Sequence, residues 1–124
     1  LAREGYAAER WNHLHPVDKQ RTPYVTQCLA DTQGPVIAAT DYMRLFADQI
    51  RTYVPRRYVV LGTDGFGRSD TREKLRHFFE VNRYWITVAA LSALADDRVL
   101  EKTVVAAAIA KYGLDPEKPN PVKV

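Results

Sequence analysis

At 124 residues the chain has room for one domain but not two, and folding at this size is expected to bury about two-thirds of the unfolded surface. A composition of 46% hydrophobic and 27% charged residues, without repeats or low-complexity blocks, excludes fibrous and wholly disordered classes. The formal charge of +3 is dispersed and marks no nucleic-acid surface, the lone Cys28 excludes an internal disulfide and fits a reducing, cytoplasmic setting, and no apolar stretch reaches the length of a membrane span.

Residues 1–14 read as a helix with Leu1, Ala8, Trp11 and Leu14 as its apolar positions. It ends before Pro16, because the residue preceding a proline avoids the helical region. Thr22 beside Pro23 is a cap and first-turn signal for a short helix over Pro23 to Leu29, with a strand as the alternative. After Gly34-Pro35, the unbroken apolar run Val36 to Ala39 predicts a central strand covered on both faces. Thr40 or Asp41 is placed to cap a helix in which Tyr42, Leu45, Phe46, Ile50, Tyr53 and Val54 recur near helical spacing until Pro55. Tyr58 to Leu61 gives a second strand, and helices are predicted over residues 71–79, 83–95 and 101–112, the last closed by Gly113. The segment 114–124, rich in proline, is expected to lie over the surface as a tail.

Two short strands among so many helices leave both edges unpaired, so this inventory predicts partner strands outside the sequence. The opening Leu1, with helix-forming residues already under way, points in the same direction.

Between the second strand and the next helix lies GTDGFGRSD, Gly62 to Asp70. By spacing, Gly62, Gly67, Arg68 and Ser69 fit a phosphate-cradling loop with Arg in the place of its Lys, which would make this a free-standing phosphate- or nucleotide-binding module. Against that reading, guanidinium and ammonium are not equivalent there, and Asp64 and Asp70 would point carboxylates toward the phosphates. The other reading is architectural. Gly65 and Gly67 allow positive φ in a tight loop, and Ser69 or Asp70 caps the following helix, with Asp70 and Glu73 spaced as a capping box. That helix would turn Leu75, Phe78 and Phe79 inward and carry Arg72, Glu73 and Arg76 largely outward.

Other reactive side chains form no catalytic group. His13 and His15 have a chelating spacing, but at a helix end beside Pro16 imidazoles are expected to bond the last carbonyls instead. His77 has no carboxylate or nucleophile near it in sequence and reads as a surface or interface residue. Cys28 reads as a small buried apolar residue, and Asp96 and Asp97 as caps in a helix-to-helix turn. Arg68, Arg72, Arg76 and Arg83 interleave with Phe78, Phe79, Tyr84 and Trp85, a pattern that helices resolve into an aromatic core face and a solvated basic face. No nucleophile, base and oxyanion donor assemble, so the residues alone name no reaction.

The strings AAERWNHLHP, ATDYMRLFADQIRTYVP, YVVLGTDGFGRSDTREKLRHFFEVN and VVAAAIAKYGLDPEKPNP, in this order and spacing, resemble the C-terminal part of the homodimeric bacterial pyruvate dehydrogenase components that decarboxylate pyruvate. The resemblance covers nearly the whole chain. It implies an α/β fold in which residues 1–124 form most of one transketolase-like C-terminal domain, a three-layer domain with a mostly parallel sheet whose first strands lie upstream. It also implies an enzyme that uses thiamine diphosphate and magnesium, works as a homodimer in the cytoplasm, and acetylates the lipoyl group of a partner acyltransferase. The family's cofactor motif is G-D-G followed well downstream by Asn; here Thr63 precedes Asp64-Gly65 and Asn82 comes too soon, so no catalytic, cofactor or metal residue is carried over. Asp64, Gly65, Gly67, Arg68, Ser69 and Asp70 match the group's characteristic loop and are expected to order the domain and its contacts.

Overall fold

A computed structural model describes residues 1–124. The elements are α1 (Ala2–Leu14), α2 (Tyr24–Leu29), β1 (Val36–Ala39), α3 (Arg44–Asp48), β2 (Tyr58–Leu61), α4 (Arg72–Phe78), α5 (Arg83–Asp96) and α6 (Lys102–Lys111), with 3-10 turns at Arg51–Tyr53 and Pro121–Lys123. β1 and β2 pair in parallel, Val36 opposite Tyr58 through Ala39 opposite Leu61. A parallel pair needs a crossover, and α3 with the turn after it supplies one. The α/β arrangement and the parallel pairing agree with the sequence reading. Val36–Ala39 is not a central strand within this chain, however: β2 is its one neighbour, and Ala39 is exposed.

The segment after β1 departs furthest from expectation. Instead of one helix from the Thr40–Asp41 region to Val54, α3 has five residues and the chain then tightens into the turn at Arg51–Tyr53. Both expected caps are engaged elsewhere. The Thr40 hydroxyl accepts from the Tyr42 amide at 3.1 Å, and the Asp41 carboxylate pairs with Arg76 at 3.1 Å. Thr63 donates its amide to the Tyr42 carbonyl at 3.0 Å and its hydroxyl to the Asp41 carbonyl at 2.9 Å. These bonds tie residues 41–42 to the loop after β2, so the helix cannot begin before Arg44. Beyond α3, Arg51 binds Asp48 at 2.6 Å and donates to the Tyr58 carbonyl at 2.6 Å, which fixes the tight turn into β2.

The core is small. Val54, Tyr58 and Val60 form its centre, with Leu29, Val36, Ala38, Ala47 and Ile50 partly buried around it. The accessible surface is 8928 Å², whereas a compact monomer of 14.1 kDa exposes about 6,700 Å². The expected two-thirds burial is therefore not reached. A two-stranded sheet offers too little face for the helices around it, and Tyr42, Leu45 and Phe46 near and on α3 stand more than half exposed.

α1 docks through a glycine. A Cβ on Gly5 would lie 2.6 Å from ring atoms of Tyr53, which is itself 5% exposed. The Tyr53 hydroxyl donates to Glu9 of α1 at 2.9 Å. Burial first, and then the bond to Glu9, push the Tyr53 phenol up to about 12 from 10.0. Because the folded value is raised, the contact stabilises fully below pH 10, and that contribution is lost as the pH climbs toward 12. An alkaline absorbance titration is expected to show a late phenol step near pH 12 that Tyr53→Phe removes. A wild-type titration complete near pH 10 would contradict this packing.

Several local expectations are corrected. Thr71, not Ser69 or Asp70, caps α4, its hydroxyl accepting from the Lys74 amide at 3.3 Å; the shift by one residue prevents the Asp70–Glu73 capping box. Asp97 closes the end of α5 and pairs with Arg57 at 2.7 Å, while Glu101, at the cap position of α6, makes no side-chain cap bond. Arg76 is half-buried against Asp41 rather than solvated, and Phe78, Phe79, Tyr84 and Trp85 are half-buried rather than core. Cys28 is exposed on α2, where Val25 takes the inward position. His15 does bond a last-turn carbonyl, that of Trp11 at 2.8 Å, and stacks on the Trp11 ring.

Candidate functional site

The carboxyl ends of β1 and β2 point the same way, and the loop Gly62 to Asp70 leaves from that edge. Its first residues bind it to the segment after β1. A Cβ on Gly62 would lie 2.8 Å from both the Arg44 amide nitrogen and the Tyr42 carbonyl oxygen, so only glycine permits this approach. Asp64 then accepts from the Arg44 amide at 3.2 Å and from the Arg44 guanidinium at 2.6 Å. The carboxylate thus satisfies the first free amide of α3 and a charged side chain together, a charge-assisted arrangement.

The remaining loop residues divide in role. Gly65 adopts φ +110 and packs against the tail, where its Cβ would meet the Pro121 carbonyl oxygen at 2.6 Å. Gly67 does not use positive φ and faces open space, contrary to expectation. Phe66 between them is 79% exposed, an apolar ring presented at the loop tip. The Arg68 guanidinium lies 4.0 Å from the centre of the Phe78 ring. Ser69 is exposed, and Asp70 accepts from the Thr71 amide at 2.8 Å. The structure therefore holds Asp64 against α3 and Gly65 against the backbone of the tail, and it leaves Gly67 and Ser69 free of such contacts.

Two chemical readings were open for this loop. In a phosphate cradle the helix starts at the loop's own Lys and Ser, with its amides converging on the anion. Here α4 starts at Arg72, three residues past Ser69, and has seven residues. Asp64 is also turned away from the loop mouth, so the sign objection raised by that residue gives way to a structural one. The tail closes the other side: Lys118 donates to the Phe78 carbonyl at 2.7 Å and pairs with Glu80 at 3.2 Å. His77 lies beside Trp85, whose indole donates to it at 3.4 Å, with no carboxylate at hand.

A family model described as the transketolase-like TK C-terminal domain matches residues 8–82, which take in most of α1, both strands, the loop and α4. The chain belongs to that family. Within it, the chain is 65% identical over its full length to a protein of Cupriavidus necator named pyruvate dehydrogenase E1 component. Proteins of the same name from Pseudomonas aeruginosa and Escherichia coli are 63% and 57% identical over 98% of the chain. The chain spans 14% of the length of each of these relatives. For a transketolase-like C-terminal domain, the parallel pair and its flanking helices are a partial α/β layer set, consistent with the small core.

The sequence reading missed three contacts around the loop. Arg44 as the mate of Asp64, Asp41 as the mate of Arg76, and Pro121 as the surface under Gly65 are all distant in sequence. An acidic residue in a glycine-rich loop does signal a cation nearby, but nothing in the sequence says which.

Proposed function

We propose that this chain is an architectural, non-catalytic segment of a pyruvate dehydrogenase E1 component, the enzyme part that oxidatively decarboxylates pyruvate and acetylates a lipoyl group. The observation that carries this reading is the 57–65% identity over essentially the whole chain to proteins of that name. The local chemistry supports the architectural part. In the Gly62 to Asp70 loop the side chains of Thr63, Asp64, Arg68 and Asp70 are engaged in packing or backbone bonds, and no nucleophile stands beside a base.

Thiamine diphosphate and magnesium are the cofactors such an enzyme would use, and the residues here do not fit them. A diphosphate-bound metal needs free carboxylate and amide oxygens. Asp64 is held by Arg44, and the Asn82 side-chain oxygen accepts from the Tyr84 and Trp85 amides, both at 3.1 Å, as the cap of α5. No step of the reaction is therefore placed in this segment. Its partners on this reading are the rest of its own subunit, a second subunit in a homodimer, and the lipoyl-bearing acetyltransferase, in the cytoplasm.

The test is the pair Arg68→Ala and Asp70→Ala in the intact polypeptide. The reading expects weaker dimerisation, a lower melting temperature, or both, with the loss of turnover following the loss of assembled enzyme. Unchanged dimerisation, stability and turnover would contradict a contact-ordering role for the loop.

A further inference from the structure

Outside the loop's packing, α4 carries a second feature. Arg72 and Arg76 are four residues apart, on one face of the helix. Both line two adjoining crevices at the carboxyl edge of the strands. One, of about 480 Å³, adds Arg68, and the other, of about 880 Å³, adds Arg83 at the start of α5. Crevices outside the carboxyl ends of parallel strands are where open α/β sheets bind ligands, and these volumes suit a small molecule.

The charge pattern selects the ligand. Four guanidinium groups line the two crevices together with three carboxylates: Asp41, Asp70 and Glu73. Asp41 is engaged with Arg76, and Asp70 accepts from a backbone amide. Arg68 is positioned on the Phe78 ring, and Arg83 donates to the Tyr84 hydroxyl at 2.7 Å. None of Arg68, Arg72 and Arg83 takes part in an ion pair. Arg76, held by Asp41, and Arg68, held by Phe78, are thus pre-placed, and Arg72 lines the same crevice with no carboxylate paired to its guanidinium. A guanidinium fork matches the paired oxygens of a phosphate or carboxylate, and pre-placement lowers the entropy lost on binding.

We propose that the crevice at Arg68, Arg72 and Arg76 binds a small polyanion bearing phosphate or carboxylate groups. The anion lies across the Arg72 fork and is flanked by Arg68 and Arg76. It is read by guanidinium groups rather than by loop amides.

The test uses inorganic pyrophosphate and citrate, titrated calorimetrically into the intact polypeptide at low and moderate salt; tighter binding of one or the other assigns the phosphate or the carboxylate source. Saturable binding of at least one is expected, weakening as salt rises. Arg72→Gln is expected to weaken that binding about tenfold or more, and Arg72→Lys, which keeps the charge and loses the fork, by a smaller factor. Arg10→Gln on α1 should leave it unchanged. Arg76→Gln also breaks the pair with Asp41, so Arg72→Gln, whose guanidinium has no carboxylate partner, is the decisive variant. The absence of saturable binding for both anions, or equal affinity in wild type and Arg72→Gln, overturns the proposal.

Discussion

Gly65→Ala is expected to destabilise the domain by about 2–6 kcal/mol, the sum of roughly 1–3 for a side chain at strained positive φ and roughly 1–3 for overpacking. Both terms act at one atom. With φ at +110, the added methyl group meets the Pro121 carbonyl oxygen at 2.6 Å and the Pro121 carbonyl carbon at 3.2 Å, and these are backbone atoms of a buried residue. The tail cannot retreat freely. Lys118 holds it to the Phe78 carbonyl and Glu80, and the Asn120 side chain caps its last turn through the Val122 amide at 3.0 Å. Urea denaturation should show a lower midpoint, and limited proteolysis should cut within residues 114–124 sooner than in wild type. Gly67→Ala is the control: its Cβ meets nothing within 4 Å and its φ is not positive, so it should move the midpoint little. Equal midpoints for Gly65→Ala and Gly67→Ala would contradict the packing of tail on loop.

Gly62→Ala is expected to cost about 2–3 kcal/mol through overpacking alone. Here the methyl group would lie 2.8 Å from the Arg44 amide nitrogen and from the Tyr42 carbonyl oxygen, the two groups that carry the link between the strand ends. Tyr42 accepts from the Thr63 amide, and the Arg44 amide donates to Asp64. The clash therefore parts the loop from α3 and loosens both bonds. Amide hydrogen exchange at Thr63 and Arg44 should quicken by more than the global stability loss accounts for. Unchanged exchange at both, with an unchanged urea midpoint, would show that the loop and α3 do not depend on this approach.

These two positions also mark what was legible in the sequence. The elements governed by local signals fall where the patterns put them: β1 and β2 coincide with the apolar runs Val36 to Ala39 and Tyr58 to Leu61, α5 spans close to the predicted residues 83–95, and α6 stops near its Gly113 signal. Parallel pairing was legible only through the family resemblance, since apolar runs alone do not give strand direction. The helix after β1 failed because its pattern was real but its N-terminus was claimed by distant groups. Thr63 and Arg76 hold Tyr42 and Asp41 in a bend that competes with helix formation. Cys28 failed for a simpler reason: a two-stranded sheet buries few side chains, and the position it would have filled went to Val25.

The loop was half legible. Its glycines and its helix-capping end announce a tight turn, and Gly65 adopts the positive φ anticipated. That Asp64 would cap and clamp α3 could not be read, because the register between residue 44 and residue 64 exists only once the parallel pair has formed.

The most direct test of the architectural reading is release of labelled carbon dioxide from pyruvate, with thiamine diphosphate and magnesium, compared between the intact polypeptide and the 124-residue chain alone. Cofactor-dependent release by the intact polypeptide and none by the isolated chain is the expected result. Release by the isolated chain would contradict a non-catalytic role, and none by the fully cofactor-loaded intact polypeptide would contradict its assignment to a pyruvate-decarboxylating enzyme.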